Sequence, residues 1–299
     1  MLRYDVVDVF TDVPYAGNPL AVVRDSDGLS AAQLQAIARE FNLSETAFPS
    51  EPTDAERAAG AHYRVRIFTP GAELPFAGHP SIGTAWALHR DELVPTGAVG
   101  QLCGVGVVAL EVSSGGGPIE LSAAPRGLSL AADAVSALAA VGLDPADAIG
   151  DLRVAGCGLD FGYLAVRGDA LERATASIRA LSGVPARDGG DPLGGLCVYR
   201  VEAIDQQVSV TARVFCPDVG VLEDPATGSA ALGLGIVLAA DKVLAAGARE
   251  NYVVRQGAQV GRPSTLFGRV TFDAGRVVMC HVGGGVVPVA TGSLAPPPA

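Results

Sequence analysis

The chain is short of the residues that mark several large classes of protein. Basic residues are outnumbered: Lys and Arg total 21 against 32 Asp and Glu in 299 residues, a formal charge of −11. A surface that holds phosphate backbones or anionic lipid must be basic, so the composition argues against nucleic acid and membrane as partners. Aromatic residues make up only 5%. The five cysteines, at positions 103, 157, 197, 216 and 280, are odd in number and scattered, with no Cys-x-x-Cys. That excludes a disulfide scaffold and a zinc ribbon and fits a reduced, cytoplasmic protein. Four histidines, at 62, 79, 89 and 281, show no ligand spacing, so no metal is expected. There is no Rossmann Gly-x-Gly-x-x-Gly with a downstream acid, no phosphate loop, no His-Glu-x-x-His and no Gly-x-Ser-x-Gly. The chemistry is therefore expected to be proton transfer without a cofactor.

Long apolar helical runs are missing too. Residues 277–299 lack Asp, Glu, Lys and Arg, but Gly283-Gly284-Gly285 and Pro288 break any helix there. The opening Met1-Leu2-Arg3-Tyr4-Asp5 meets charge at once, unlike a signal peptide. The final Ala-Pro-Pro-Pro-Ala reads as a frayed tail.

What is present is a globular composition, 49% hydrophobic and 18% charged, and an internal repeat. Arg66-Ile67-Phe68-Thr69-Pro70 precedes Glu73-Leu74-Pro75-Phe76-Ala77-Gly78-His79-Pro80-Ser81-Ile82-Gly83. Later, Arg213-Val214-Phe215-Cys216-Pro217 precedes Glu223-Asp224-Pro225-Ala226-Thr227-Gly228-Ser229-Ala230-Ala231-Leu232-Gly233. The offsets are 213 − 66 = 147 and 223 − 73 = 150, and Leu20-Ala21-Val22 echoes in Leu164-Ala165-Val166. A period near half the chain length means duplication. The halves are expected at 1–116 and 117–299, crossing near residues 112–126 around Gly115-Gly116-Gly117. The C-terminal strand is free to return to the first half.

Each copy has one local logic. His62–Thr69 and Val208–Phe215 alternate as strands. A Gly/Pro turn follows, then an apolar helix, with Pro80 in the first turn of 80–90 and Asp241 ending 229–240. A helix apolar all round must be buried on every side. The expected fold is α+β: two similar domains, each a curled, mostly antiparallel sheet around a central buried helix. Tyr4–Phe10, Leu20–Val23, Val105–Glu111 and Ile119–Ser122 read as further strands. Ser30–Gln33 has the form of a capping box, with Asn42 closing its helix. Leu128–Val141 and Ala170–Leu181 read as helices.

Helix starts at Gly78-His79 and Gly228-Ser229 offer unpaired N–H groups and partial positive charge, suited to a carboxylate. If the two halves face each other, both starts point into one cleft. This selects His79 from one half and Asp224 and Ser229 from the other. As isolated residues, His79 would be a packing or capping histidine and Asp224 a turn residue. Their placement in matching copies favours function. Glu45, at a strand start before apolar residues, is a candidate base or else a solvated strand end.

These motifs resemble the PhzF (phenazine biosynthesis-like) family. The resemblance rests on Gly17-Asn18-Pro19-Leu20-Ala21-Val22, Asn42-Leu43-Ser44-Glu45-Thr46, the two repeated turns, and Gln256-Gly257 with Gly261-Arg262-Pro263-Ser264. It runs in order from about residue 4 to 290. It implies a diaminopimelate-epimerase-like fold, and a homodimer acting on a small-molecule carboxylate. It also implies isomerisation of trans-2,3-dihydro-3-hydroxyanthranilate, with Glu45 moving the proton. His79 and Asp224 would complete the catalytic set with Glu45, holding and polarising the substrate together with Ser229, Gly78, Gly228 and Asn18. Epimerases of this fold use two cysteines, and the matching positions here are Ala77 and Thr227, which cannot take a proton from carbon. Cys216 matches neither. One-base shuttling is therefore expected over two-base stereoinversion. The alternatives are isomerisation of another small diene or amino acid, and a non-catalytic binding member.

Overall fold

Helix and strand form largely where the patterning places them. The computed structural model describes residues 1–114, 117–130, 134–175, 193–204, 207–216 and 221–298. Gly115, Gly116 and Pro217 lie outside these. The chain forms two compact units, Met1–Ser122 with Gly283–Ala299, and Ala123–Val282.

In the first unit, β1 (Leu2–Val9) pairs antiparallel with β2 (Asn18–Val23), and β2 runs parallel to β3 (Glu45–Ser50). Strand β3 is antiparallel to β4 (Tyr63–Phe68), which is antiparallel to the short β5 (Glu73–Leu74). Strand β4 is parallel to β6 (Gly97–Cys103), and β6, β7 (Gly106–Val112) and β8 (Ile119–Ala123) continue antiparallel. The C-terminal strand Val286–Leu294 pairs with the other edge of β1. Helix α1 (Ala31–Phe41) opens on Ser30 with both capping-box bonds and closes on Asn42 in the left-handed region, φ 50°. A short α2 (Asp54–Ala58) has the same reciprocal cap at Thr53. Helix α3 (Gly78–Arg90) packs against β1, β2, β3, β7 and the C-terminal strand, and its residues from Gly78 to Ala85 are buried.

The second unit holds β9 (Leu128–Leu130), α4 (Ala134–Ala140), β10 (Arg153–Gly156), β11 (Asp160–Ala165) and α5 (Ala170–Arg173). Then follow β12 (Leu196–Ile204), β13 (Val208–Cys216), β14 (Val221–Asp224), α6 (Gly228–Ala240), β15 (Asn251–Gln256) and β16 (Ser264–Asp273). Its pairing repeats that of the first unit strand for strand. Strand β10 is antiparallel to β11, β11 parallel to β12, and β12 antiparallel to β13. Strand β13 is antiparallel to β14 and parallel to β15, which is antiparallel to β16. Helix α6 packs on β10, β11 and β16 and is buried from Gly228 to Leu238.

The repeated residues have structural jobs. Arg66 forks onto Glu73 with two bonds of 2.7 Å and lies over the Phe68 ring at 5.1 Å. Arg213 forks onto Glu223 at 2.8 and 2.6 Å and lies over Phe215 at 5.2 Å. Each pair ties the strand leading into the turn to the strand leading out, with a planar fork that only Arg supplies. The repeated glycines let strand and helix approach. A Cβ on Gly83 would lie 2.6 Å from Leu20 Cδ2 and 2.9 Å from Val9 Cγ2, and one on Gly233 would overlap the Tyr163 phenol.

Two helix expectations need correction. Leu128–Leu130 is a strand covering the edge of β10, and the following helix begins within the described residues at Ala134. Residues 131–133 lie outside the described residues. The helix from Ala170 ends at Arg173: Ala174 turns extended (φ −56°, ψ 133°), and its carbonyl accepts from Arg213 Nη1 at 2.5 Å. Residues 176–181 lie outside the described residues. The tail is also held, since Gln33 Nε2 donates to the Pro297 carbonyl at 2.9 Å.

Gly83→Ala and Gly233→Ala are each expected to destabilise the protein by about 1–3 kcal/mol through overpacking. Thermal unfolding of both variants checks this, and unchanged melting temperatures would remove the close-approach argument.

Candidate active site

In the first unit the parallel register sets Leu20 beside Glu45, so the start of β2, with Asn18 and Pro19, lies next to the start of β3. Gly83 seats α3 on Leu20, and the second residue of that helix is His79. These constraints bring Glu45 Oε2 to 3.4 Å from His79 Nε2, with the two side chains 14% and 5% exposed. The His79 ring is also hydrogen-bonded to the backbone of Pro19. Proline has no N–H, so its carbonyl accepts and a ring N–H donates. Nε2 makes no hydrogen bond, so that donor is Nδ1. Burial pushes the imidazole down to about 3, against which the Pro19 carbonyl is the smaller effect. His79 is thus neutral near pH 7, with its Nε2 lone pair turned to the carboxyl group of Glu45. Asn18 is wholly buried at the start of β2 and is also engaged, and Gly78 is the first residue of α3. Ala77, the cap residue, gives that helix no side-chain cap.

In the second unit Asp224 ends β14 and stands 9% exposed, three residues before the cap of α6. Gly228 and Ser229 are the first two residues of α6, and Ser229 is 9% exposed. Thr227 occupies the cap position but makes no side-chain bond to the helix. Its hydroxyl donates instead to Asp224 Oδ2 at 2.6 Å. The N–H groups at the start of α6 therefore lack a side-chain acceptor from the cap, as at α3.

Two buried glutamines, Gln101 and Gln256, carry no role in the sequence expectations. Gln101, on β6, accepts from the Tyr63 phenol at 2.8 Å and donates to Ser81 Oγ at 2.7 Å. Ser81 in turn donates to the carbonyl of Ala77 at 2.8 Å. Gln256, the last residue of β15, holds the Asp224–Thr227 turn. The period-two pattern marks both positions as inward-facing, but nothing local says what they meet. Among the described residues no group of three or more His, Cys, Asp or Glu is placed to hold a metal ion. No helix there is long and apolar enough to cross a membrane.

Comparison with known proteins now places the chain. It is 33% identical over 98% of its length, and 99% of the relative's, to the trans-2,3-dihydro-3-hydroxyanthranilate isomerase of Pseudomonas chlororaphis. The solved structure of a predicted epimerase of Pseudomonas aeruginosa, 32% identical, superposes with a TM-score of 0.79 and covers 98% of this chain and 99% of its own. A hydroxyproline epimerase of Agrobacterium vitis shares the fold at 13% identity, with a TM-score of 0.64 over 97% of this chain and 91% of its own. The class is that of isomerases built on the diaminopimelate-epimerase-like fold. The phenazine biosynthesis-like protein (PhzC-PhzF) family matches residues 7–127 and 180–292, and the chain belongs to that family.

The lowered His79 value has a consequence for stability. Between about 3 and the ordinary 6.5 an unfolded chain binds a proton at His79 that the folded chain does not. Acid therefore favours unfolding. The contribution of this group is complete above pH 6.5 and is lost as the pH falls toward 3, at up to about 1.4 kcal/mol per unit. Urea midpoints from pH 7 to 4 should fall less steeply in His79→Gln than in the parent. Parallel slopes would contradict a neutral buried imidazole.

Proposed function

We propose that the protein isomerises trans-2,3-dihydro-3-hydroxyanthranilate, or a closely similar small cyclic amino acid, by moving one proton between two carbons of the ring. The observation that carries this is the Glu45 carboxyl group 3.4 Å from a neutral, buried His79 nitrogen. Full-length kinship with an isomerase of that name supports the substrate.

The chemistry follows from the tautomer. Ionised Glu45 takes a proton from an activated substrate carbon, and the electron pair left behind spreads into the substrate's conjugated system. The new carboxylic acid has an O–H, and the Nε2 lone pair of His79 can accept it. That hydrogen bond favours the protonated carboxyl and holds the proton in place. Glu45 then returns the proton to a second carbon, and the enzyme is unchanged. The distance of 3.4 Å is long for the bond in the resting protein, and such contacts tighten when substrate is bound. An imidazolium would donate to the carboxylate and oppose this first step, so burial of His79 serves the reaction.

Substrate binding is assigned to Asp224, Ser229 and Gly228 in the second unit and to Gly78, His79 and Asn18 in the first. Helix starts without a side-chain cap suit a carboxylate, because their N–H groups are aimed and need no reorganisation. Asp224 would accept from the amino or hydroxyl end of the substrate. The same reading makes the protein a cytoplasmic homodimer.

Glu45→Gln keeps the shape and loses the shuttle. Turnover of trans-2,3-dihydro-3-hydroxyanthranilate, followed by ultraviolet change and product mass, should fall by more than about 10²-fold while binding persists. Near-native turnover in this variant would falsify the assignment. In deuterated water, early product should keep part of its original hydrogen, because the proton can return before exchange; complete deuteration from the first time point would rule out direct return. Iodoacetamide should leave turnover intact: four cysteines are buried, and at half-buried Cys103 burial raises the thiol above its ordinary value.

A further inference from the structure

The motif beginning at Gln256 has no part in the chemistry above, yet its side chain is 4% exposed and fully engaged. Gln256 Nε2 donates to the Asp224 carbonyl at 2.7 Å and to Thr227 Oγ1 at 3.0 Å. Gln256 Oε1 accepts the Thr227 N–H at 3.3 Å. Because Thr227 Oγ1 accepts from the amide, its own proton is free to point only elsewhere, and Asp224 Oδ2 receives it at 2.6 Å. That is a short, well-formed O–H···O bond.

The backbone repeats the message. Gly257 stands at φ 82°, and a Cβ there would lie 2.5 Å from the Pro225 carbonyl oxygen and closer still to that of Arg262. The segment Gln256-Gly257 is thus pressed directly on the Asp224-Pro225 backbone. A threonine at a helix cap ordinarily turns its hydroxyl to the N–H groups of the first turn. Thr227 makes no such bond. The helix forgoes a cap, and the hydroxyl serves the carboxylate.

We propose that Gln256 and Thr227 are positioning residues for Asp224. The amide sets the rotation of the Thr227 hydroxyl, and the hydroxyl fixes the plane of the Asp224 carboxylate. The same amide holds the turn that leads into α6. Neither residue touches substrate. The proposal rests on the reading of Asp224 as a substrate-binding residue, and it adds the two side chains that make its aim reproducible. A carboxylate on a short side chain has two free torsions, and a loosely aimed acceptor costs rate as well as affinity.

The test compares Thr227→Val, Thr227→Ser, Gln256→Leu and Asp224→Asn with the parent, using trans-2,3-dihydro-3-hydroxyanthranilate and thermal unfolding as a check on folding. Thr227→Val is close to isosteric and removes only the hydroxyl. It and Gln256→Leu should raise KM and lower kcat, together costing about tenfold or more in kcat/KM. Thr227→Ser restores the hydroxyl and should lie within about threefold of the parent. Folded Thr227→Val with parental kcat and KM overturns the proposal, as does Thr227→Ser as poor as Thr227→Val. Parental kinetics in Asp224→Asn would instead overturn the role given to Asp224, and the proposal with it. If the parent does not turn over this substrate, the functional reading fails by itself. Proton NMR of the parent then decides the network: a slowly exchanging Thr227 hydroxyl resonance, lost in Thr227→Val, supports it, and its absence overturns it.

Discussion

A helix walled in by its own sheet has only its ends left for chemistry, and that enclosure governs the rest of this structure. For α6 the walls touch from Gly228 to Leu238, and for α3 from Gly78 to Ala85. Strand and helix come this close where Gly83, Gly233 and Gly235 leave out a side chain. The phenols of Tyr163 and Tyr252 reach the carbonyls of Ala230 and Ala231 at 2.8 and 2.7 Å, so even the polar groups of the wall are used on the helix. What remains is the N-terminal end of each helix. Neither carries a side-chain cap, and the groups with acid–base or hydrogen-bonding chemistry gather around it.

Duplication and chemistry separate cleanly within the repeat. At an offset of 150, Glu73 matches Glu223, Gly78 matches Gly228 and Gly83 matches Gly233. These are the fork acceptor, the helix start and the close-approach position, and each does the same work in both units. At the same offset Leu74 matches Asp224, Ala77 matches Thr227 and His79 matches Ser229. At these positions the two units differ in chemistry. The shared residues account for the repeated fold, and the divergent ones include His79, Asp224 and Ser229, to which the proposed chemistry is assigned. Thr227 illustrates the change: its hydroxyl is committed to Asp224, so this position acts through a neighbour and not as an acid or base.

Much of this was legible because it is local or repeated. The capping box at Ser30, the left-handed Asn42, the helix starts after Ala77 and Thr227, and the strands leading into them depend on near neighbours. The region around Leu128 was misread because an Ala-rich run favours helix locally, while the open edge of β10 favours a strand and is invisible in the sequence. Ala174 breaks its helix for a similar reason, since the buried Arg213, 39 residues away, takes its carbonyl. Gln101 has no sequence signal and Gln256 is marked only as part of a motif, because glutamine is ordinarily a surface residue. Their value comes from parallel pairing of β4 with β6 and β13 with β15, which no local pattern reports.

The two carboxyl pairs, one in each unit, pose opposite electrostatic problems. Asp224 is supplied with a donor, the Thr227 hydroxyl, which suits the acceptor role proposed for it. Glu45 faces an acceptor, the Nε2 lone pair of a histidine that burial keeps neutral. A carboxyl group beside a lone pair gains a hydrogen bond only when it carries a proton. The two carboxyl groups are thereby given different partners, and in the proposed reaction one is a fixed acceptor while the other carries the proton. That division of labour is set by the neighbour each was given, a hydroxyl at one helix start and an imidazole at the other. It requires only that Pro19 hold the His79 tautomer and that Gln256 hold the Thr227 rotor.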